Sequence, residues 1–399
     1  MRVLVHLNSL ELGGTQINAV DFAVAARAFG VESIVVGMGE TLPATPNLLD
    51  YARDQDVDIE VYDAAVGMRA HAAQLSDIAH RRKVDLIHVY GMWGAARQVY
   101  WGPARWGRTP WVHTVYEMSI APIVLRHMPL VLGTGYLIEE QSGRAGATEL
   151  ISPPVDIERD APGRAGGADF RRDTGLGDGP LIGVVSRLDS RMKARSLEIA
   201  IDAMEELDGS GATLYIVGGG DAAESLGDRA RRVNDALRRE AVRLLGPMSD
   251  PRPAYEAADV MLGMGGSAAR ALAFGKPLVV QGEAGWSQTF EPSSAEELAR
   301  SSYWSPDTLD DPIGRLARDV GALLEDPARR VALGEFGRTF AVERFGLPAM
   351  TERLCAVYET ALSTYGVTQW VADLPREGRR LTKKVGRAVA RVVGGGGQT

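Results

Sequence analysis

Short β-branched apolar runs alternate with longer helical stretches along this chain, and the alternation runs through twice with a pause between the two passes. Alternation of this kind is the mark of a parallel sheet wrapped by helices, because a strand buried on both faces reads as a continuous apolar run. In the first pass, residues 3–7, 33–36, 86–90, 111–115 and 130–133 read as strands, with helices at 16–29 and 71–82. In the second, strands are expected at 181–185, 214–217, 242–244, 260–262 and 278–280, with a helix at 197–207. Between them, Ser152–Pro153–Pro154 and the Gly/Ala/Arg-rich stretch 161–167 read as a linker with little packing capacity. From 327 to 365 the chain is mostly helical, and 350–362 is its clearest amphipathic piece.

A length of 399 residues is too great for one ordinary core and comfortable for two. The expectation is therefore two Rossmann-like, doubly wound domains facing each other across a cleft, at 1–155 and 168–345. A helical segment at 346–375 would pack back toward the first domain, and 376–399 would form a basic tail. Ligands of such sheets bind at the carboxyl ends of the strands.

Composition narrows the function classes. No run of about twenty apolar residues appears, so no helix spans a bilayer. The start, MRVLVHLNSL, reads as a first strand and not as a leader peptide, because its apolar stretch is short and runs into Glu11 and Gly13–Gly14. The single cysteine, Cys355, forms no internal disulfide and gives no metal cluster, which fits a reducing, cytoplasmic compartment. The net charge of −8 argues against a nucleic-acid partner. Charge is uneven, however: residues 376–391 hold seven basic residues and one acid, about +6, against about −14 elsewhere. Leu381, Val385, Ala388, Val389 and Val392 fall there at helical spacing. That suits either peripheral contact with the inner face of a membrane or a solvated terminus.

Three sites carry candidate chemistry. Gly13–Gly14 lies between the first strand and a helix, where bare backbone N–H groups approach a phosphate. The pair lacks the third spaced glycine of a dinucleotide fingerprint, which counts against a nicotinamide enzyme. Arg187 and Lys193 follow the strand at 181–185 and can neutralise a diphosphate leaving group. Gly263, Gly265, Gly266 and Ser267 form a glycine-rich entry to a helix, which offers backbone donors to an oxyanion or to sugar hydroxyls. A plain turn and a solvated basic loop are the structural alternatives. Tyr90, Trp93, Tyr100, Trp101 and Trp106 offer flat faces to a sugar or lipid-like acceptor, or else pack beneath a loop.

Taken in order, these pieces resemble a retaining glycosyltransferase of family four with the GT-B fold, over nearly the whole chain. The resemblance rests on Leu10-x-x-Gly13–Gly14, Pro153–Pro154–Val155–Asp156, Val185–Ser186–Arg187–Leu188 with Lys193, and Val217–Gly218-x-Gly220. It continues through Gly246-x-x-Ser249–Asp250, Tyr255-x-x-Ala258–Asp259–Val260 and Ala271-x-Ala273-x-Gly275–Lys276–Pro277. It implies Gly14 near the donor phosphates, Arg187 and Lys193 on the diphosphate, and the N–H groups of Gly263 and Gly265 on the donor sugar. The family's two glutamates, eight positions apart, are replaced by Leu262 and Arg270, and its histidine after the strand at 111–115 by Tyr116. Neither glutamate's role carries over to a leucine or an arginine. Arg270 can add charge to the diphosphate, while Glu283 and Glu117 are substitute carboxylates whose alternative is a solvated loop acid. His113 falls inside its strand, as a packed histidine would.

The resemblance implies a metal-independent, cofactor-free retaining transferase that moves a hexose from a nucleotide diphosphate sugar, UDP- or GDP-linked, to a hydroxyl. The acceptor would be a glycan, a lipid or a small molecule. The alternative is a catalytically inactive nucleotide-sugar-binding protein of the same fold.

Overall fold

The computed structural model describes residues 1–39, 47–91, 93–366, 371, 373–379 and 382, the side chains of 93–95 excepted. Its first sheet has seven strands: β1 (Arg2–Leu7), β2 (Glu32–Met38), β3 (Ile59–Tyr62), β4 (Leu86–Tyr90), β5 (Trp111–Val115), β6 (Leu130–Leu132) and β7 (Thr148–Leu150). They lie in the order 3-2-1-4-5-6-7, all parallel. The second sheet has six: β8 (Leu181–Val185), β9 (Thr213–Val217), β10 (Val242–Gly246), β11 (Val260–Gly263), β12 (Leu278–Gln281) and β13 (Ser287–Thr289). Their order is 10-9-8-11-12-13, and only β12 and β13 pair antiparallel.

Each sheet is covered on both faces, which is why its central strands are mostly apolar: β4, β5, β11 and β12 are buried at every position, with His88, His113, Thr114 and Gln281 the polar exceptions. The strands absent from the sequence reading are β3, β7 and β13. All three are edge strands with a polar residue at the centre or start, as in Thr148–Leu150 and Ser287–Thr289. An edge strand is exposed along one side and needs no continuous apolar run.

The chain crosses between the two units twice, and the crossings are tied together. The Val155 N–H donates to the Phe345 carbonyl and the Leu347 N–H donates to the Val155 carbonyl, each at 2.9 Å. Between the two linker stretches, residues 155–160 are well anchored, while 162–164 and 166 are exposed as the composition suggests. Ile151, Val155 and Asp160 are buried, and the Arg338 guanidinium donates to the carbonyls of Ile157 (2.7 Å), Asp160 (3.0 Å) and Ala273 (2.7 Å). Beyond the second crossing, helix Leu347–Thr364 returns to the first sheet. It buries Leu347, Met350, Leu354, Val357, Tyr358 and Ala361, a stripe at three- and four-residue spacing.

Residues 373–379 then dock on the first unit. The Asp373 carboxylate accepts the backbone N–H groups of Arg126 (2.7 Å) and His127 (3.0 Å), and Glu377 pairs with Arg105 at 2.7 Å. The apolar residues of the expected amphipathic tail, Leu381, Val385, Ala388, Val389 and Val392, lie outside the described residues. Among the described residues, no helix is long and apolar enough to cross a membrane.

Candidate active site

In each sheet the strand order reverses once, between β1 and β4 and between β8 and β11. At such a point the loops leaving adjacent strands diverge to opposite faces and open a crevice. Gly13–Gly14 follows β1, Arg187 follows β8 and Gly265–Gly266 follows β11. Groups scattered over the sequence therefore leave the strands that border these two reversals.

The loop holding Arg187 is built by backbone contact. The Ser186 N–H donates to the Val217 carbonyl at 3.0 Å, and the Leu188 N–H to the Gly219 carbonyl at 2.9 Å. A β-carbon on Gly218 would fall within the radius of the Ser186 carbonyl oxygen, and one on Gly220 would collide with the Leu188 carbonyl. Glycine is thus required at both places for the exits of β8 and β9 to lie side by side. Asp221 fastens the same loop, accepting from the Ser190 N–H at 2.9 Å and the Ser190 hydroxyl at 2.7 Å. On this support the Arg187 side chain is exposed.

Lys193 stands at the start of helix Ala194–Glu206, half-buried. Burial pushes its ammonium down to about 8 and the neighbouring Arg187 pushes the same way, while Asp189 and Glu283 oppose them. Structure thus brings Arg187, Lys193 and Glu283 into one electrostatic neighbourhood, with Asp189, which the sequence reading missed. Asp189 Oδ1 accepts the Met192 N–H at 2.8 Å, and the Asp189 carbonyl accepts from Lys193 and Ala194. An aspartate just ahead of a helix is the usual sign of such a turn. It also holds a carboxylate beside the lysine that carries the site's charge.

The third loop differs in part from expectation. Gly265 has φ of 61°, a conformation that favours glycine, and it precedes helix Gly266–Ala273. Its N–H, however, donates to the Tyr303 carbonyl at 3.1 Å, so it is engaged within the protein. Gly263 is buried within the strand ladder opposite Val280. The outward-facing donors here belong to the first turn of the helix, Gly266 and Ser267, whose N–H groups lack a partner one turn back. Gly265 and Gly266 border a narrow crevice against Ser152 and Pro153 of the linker. On the opposite side Gly13 is buried, with its N–H on the Glu11 carbonyl at 2.8 Å, and Gly14 is exposed at the start of helix Gly14–Ala25.

Leu262 and Arg270, at the positions of the family's two glutamates, are both engaged within the protein. Leu262 packs in the core beneath the second sheet. Arg270 donates from Nε to Asp160 Oδ2 at 2.8 Å, so its charge is balanced within the protein. Tyr116 lies half-buried with its ring against Gly133, and Glu117 beside it is half-buried too. His113 is wholly buried and its Nε2 lies 2.5 Å from the Gly91 carbonyl oxygen; burial pushes its imidazole down to about 4. Of the aromatic group, Tyr90 and Tyr100 are core residues, and Tyr100 packs against Trp111 and His127. Trp101 and Trp106 lie over the Arg105 guanidinium, Trp106 being 71% exposed. The Trp93 side chain is outside the described residues.

Residues 179–319 match the family described as glycosyl transferases group 1. Over 227 residues the chain is 27% identical to a GDP-mannose-dependent alpha-(1-6)-phosphatidylinositol monomannoside mannosyltransferase of Mycobacterium tuberculosis, covering 53% of this chain and 56% of the relative. The Mycolicibacterium smegmatis protein of the same name is 30% identical over 219 residues, covering 51% and 54%. The chain thus spans about half the length of the curated relatives it matches. Among solved structures, Anabaena HepE in complex with UDP-glucose superposes with a TM-score of 0.70 at 18% identity, over 90% of this chain and 100% of that one. A glycosyltransferase from Rickettsia africae gives 0.70 at 15% identity, over 90% and 98%. The chain has the GT-B fold, and its second sheet carries the group 1 glycosyltransferase pattern.

Proposed function

We propose that this protein is a retaining, metal-independent glycosyltransferase that moves a hexose from a nucleotide diphosphate sugar to an acceptor hydroxyl. The observation that carries the reading is the gathering of Arg187, Lys193 and a glycine-led helix N-terminus at one strand-order reversal. Exposed Gly14 leaves the other sheet.

Sugar transfer breaks the bond from the anomeric carbon to the diphosphate oxygen, and the electron pair departs with the phosphate. Two cations held beside that oxygen stabilise the charge as it develops. A low lysine pKa signals an ammonium short of solvent, where its attraction for a phosphate is strong. The acceptor oxygen forms the new bond on the face that the diphosphate leaves. Its proton passes to the departing phosphate oxygen, so no protein base is required for the step. Gly266 and Ser267 supply first-turn N–H groups to the donor, Gly14 lets backbone approach the phosphates, and Glu283 sits beside Lys193 to orient it or to meet a sugar hydroxyl. Tyr116 and Glu117, after β5, are assigned to the acceptor side. Closure of the two units would exclude water from the donor.

The donor base follows the mannosyltransferase relatives, which use GDP-mannose, or HepE, which was solved with UDP-glucose. A GDP-linked donor is the first choice because those relatives share more sequence with this chain. A lipid-linked acceptor is proposed on the same ground, with peripheral membrane contact through the basic segment at 376–391. At its described start, Glu377 pairs with Arg105, whose guanidinium lies over the exposed Trp106 ring, and an aromatic ring suits the headgroup region.

The test is donor turnover, measured as nucleotide diphosphate release with and without an acceptor panel, in Arg187→Ala and Lys193→Ala. Loss of one oxyanion-type donor costs about 10²–10³ in rate. Unchanged turnover in both variants refutes the assigned roles, and nucleotide-sugar binding without turnover across the panel supports the non-catalytic reading.

A further inference from the structure

Strands β5 and β6 are parallel, so the chain between them must return along the length of the sheet, a passage usually made by a helix. Here residues 116–129 make it in irregular conformation. A helix satisfies its own backbone. This loop must find partners elsewhere, because Val124, Leu125 and Met128 are buried in the same core as Trp111 and Leu130.

The partners come from two directions. Arg144, shortly before β7, donates to the carbonyls of Leu125 (3.0 Å), Ala147 (2.8 Å) and Met128, and the Gly146 N–H donates to the Arg126 carbonyl at 2.7 Å. The others come from the C-terminal segment. The fully buried Asp373 carboxylate takes the N–H groups of Arg126 and His127, and the Arg376 guanidinium donates to the Val124 carbonyl at 2.7 Å. Asp373 also meets the His127 ring at Nδ1, while Nε2 of that ring accepts the Trp111 indole N–H at 3.0 Å. An indole nitrogen only donates, so the proton of the ring sits on Nδ1 and faces the carboxylate. Burial opposes ionisation of Asp373, but the His127 ring and the two backbone N–H groups hold its carboxyl below the ordinary value. Trp111 opens β5, so one imidazole ties this anion to the strand from which the loop departs.

The other end of the loop lies at the crevice. Tyr116 and Glu117 leave β5 at its carboxyl end, and the Tyr116 ring stands against Gly133 at the exit of β6. Tyr136, on helix Gly135–Glu140, donates its hydroxyl to the Met118 carbonyl. The loop is therefore held at Met118 and again along 124–128, and the second hold is shared between Arg144 and a segment some 250 positions further along the chain.

We propose that Asp373 is a positioning residue for the acceptor side, acting through the β5–β6 loop: the C-terminal segment holds 124–127 and thereby sets where 116–121 stand at the crevice. Asp373 itself touches no substrate. The acceptor part of this inference rests on the transferase reading, and the placement of the loop does not.

The test uses the full chain and two readouts. The first needs no substrate. Asp373→Ala should speed hydrogen exchange of the amides across 118–128 by at least about tenfold, the effect of one lost charge-assisted hydrogen bond, with β8 and β9 unchanged. The second separates acceptor from donor, with a panel of methyl hexosides, oligosaccharides and detergent-dispersed glycolipids. Asp373→Ala should raise KM for the best of these acceptors about tenfold and leave acceptor-free donor hydrolysis within about twofold of the wild type. Asp373→Asn, which keeps one oxygen for a backbone N–H, should recover part of both effects. Arg376→Met removes the bond to Val124, should act in the same sense more weakly, and serves if Asp373→Ala fails to fold. Unchanged exchange at 118–121 in a folded Asp373→Ala or in Arg376→Met overturns the proposal, as does an unchanged acceptor KM or an equal fall in acceptor-free hydrolysis. Absence of transfer by the wild type across the panel refutes the transferase reading and the acceptor part with it, while exchange still decides whether Asp373 places the loop.

Discussion

All six histidines precede residue 128, and five of them are buried in the first unit. This arrangement predicts that mild acid weakens that unit selectively. His6 shares the Tyr62 hydroxyl with His71, at 2.8 Å and 2.9 Å, and burial first, then the His71 charge, pushes its imidazole down to about 3. His113 is pushed down to about 4, and His88, held between Tyr358 and Thr114, well below the ordinary value, chiefly by burial in each case. Their folded pKa values lie below the unfolded value of about 6.5, so the unfolded chain binds more protons between the two. The stability they provide is present above about pH 6.5 and is lost as pH falls toward the folded values.

From pH 7 to pH 5, His6 and His113 each lose about 2 kcal/mol, about 4 together, and His88 acts in the same direction. Asp21 opposes them: its folded pKa is raised to about 6, so the native state binds more protons there and gains about 1 kcal/mol on the same descent. A net loss of about 3 kcal/mol is a large fraction of the 5–15 kcal/mol of a typical domain. The assay is urea unfolding at pH 7 and pH 5 with hydrogen exchange followed strand by strand. At pH 5 the amides of β1, β4 and β5 should open before those of β8 and β9, and His6→Gln should remove about 2 kcal/mol of the pH dependence. Equal stability at the two pH values, or earlier opening of β8 and β9, refutes the reasoning.

Four further outcomes follow from the site. Gly14→Ala meets no atom within 4 Å and should leave thermal stability unchanged or raise it, yet weaken nucleotide diphosphate binding in calorimetry if backbone approaches phosphate there. Gly218→Ala should instead lower stability by about 1–3 kcal/mol, read by thermal melting, because its new β-carbon must displace the Arg187 loop. Nucleotide diphosphate affinity should fall with rising pH from about 8, as Lys193 loses its proton, by up to about tenfold per unit; Lys193→Arg should shift that fall above pH 10. Glu377→Gln should release the segment at 373–379 from Arg105, seen as faster proteolysis after Arg376 or Arg379, with donor turnover unchanged.

The buried strands were legible in the sequence for the reason that they are buried: a strand covered on both faces must be apolar at every position, as Leu86–Tyr90 nearly is. The edge strands β3, β7 and β13 carry no such obligation and left no trace, although β10 at the other edge of the second sheet was read at 242–244. The loops that leave the strands were legible through glycine, and the structure explains why at Gly218 and Gly220, where two strand exits touch and any side chain would collide. Charged groups were legible only as candidates, because sequence shows that a charge exists and not what neutralises it. Arg187 and Arg270 look equivalent as cations near glycine turns. In the folded protein Arg187 is exposed at the exit of β8, while Arg270 is held by Asp160, a residue 110 positions away in a stretch that reads as loose linker. The same limit hid Asp189 and Asp21, acids whose surroundings are assembled by the fold. A cation near a crevice is therefore available to a diphosphate only if no buried carboxylate already holds it. By that criterion, Arg187 and Lys193 are the cations left for the proposed leaving group, and Arg270 is already held by Asp160.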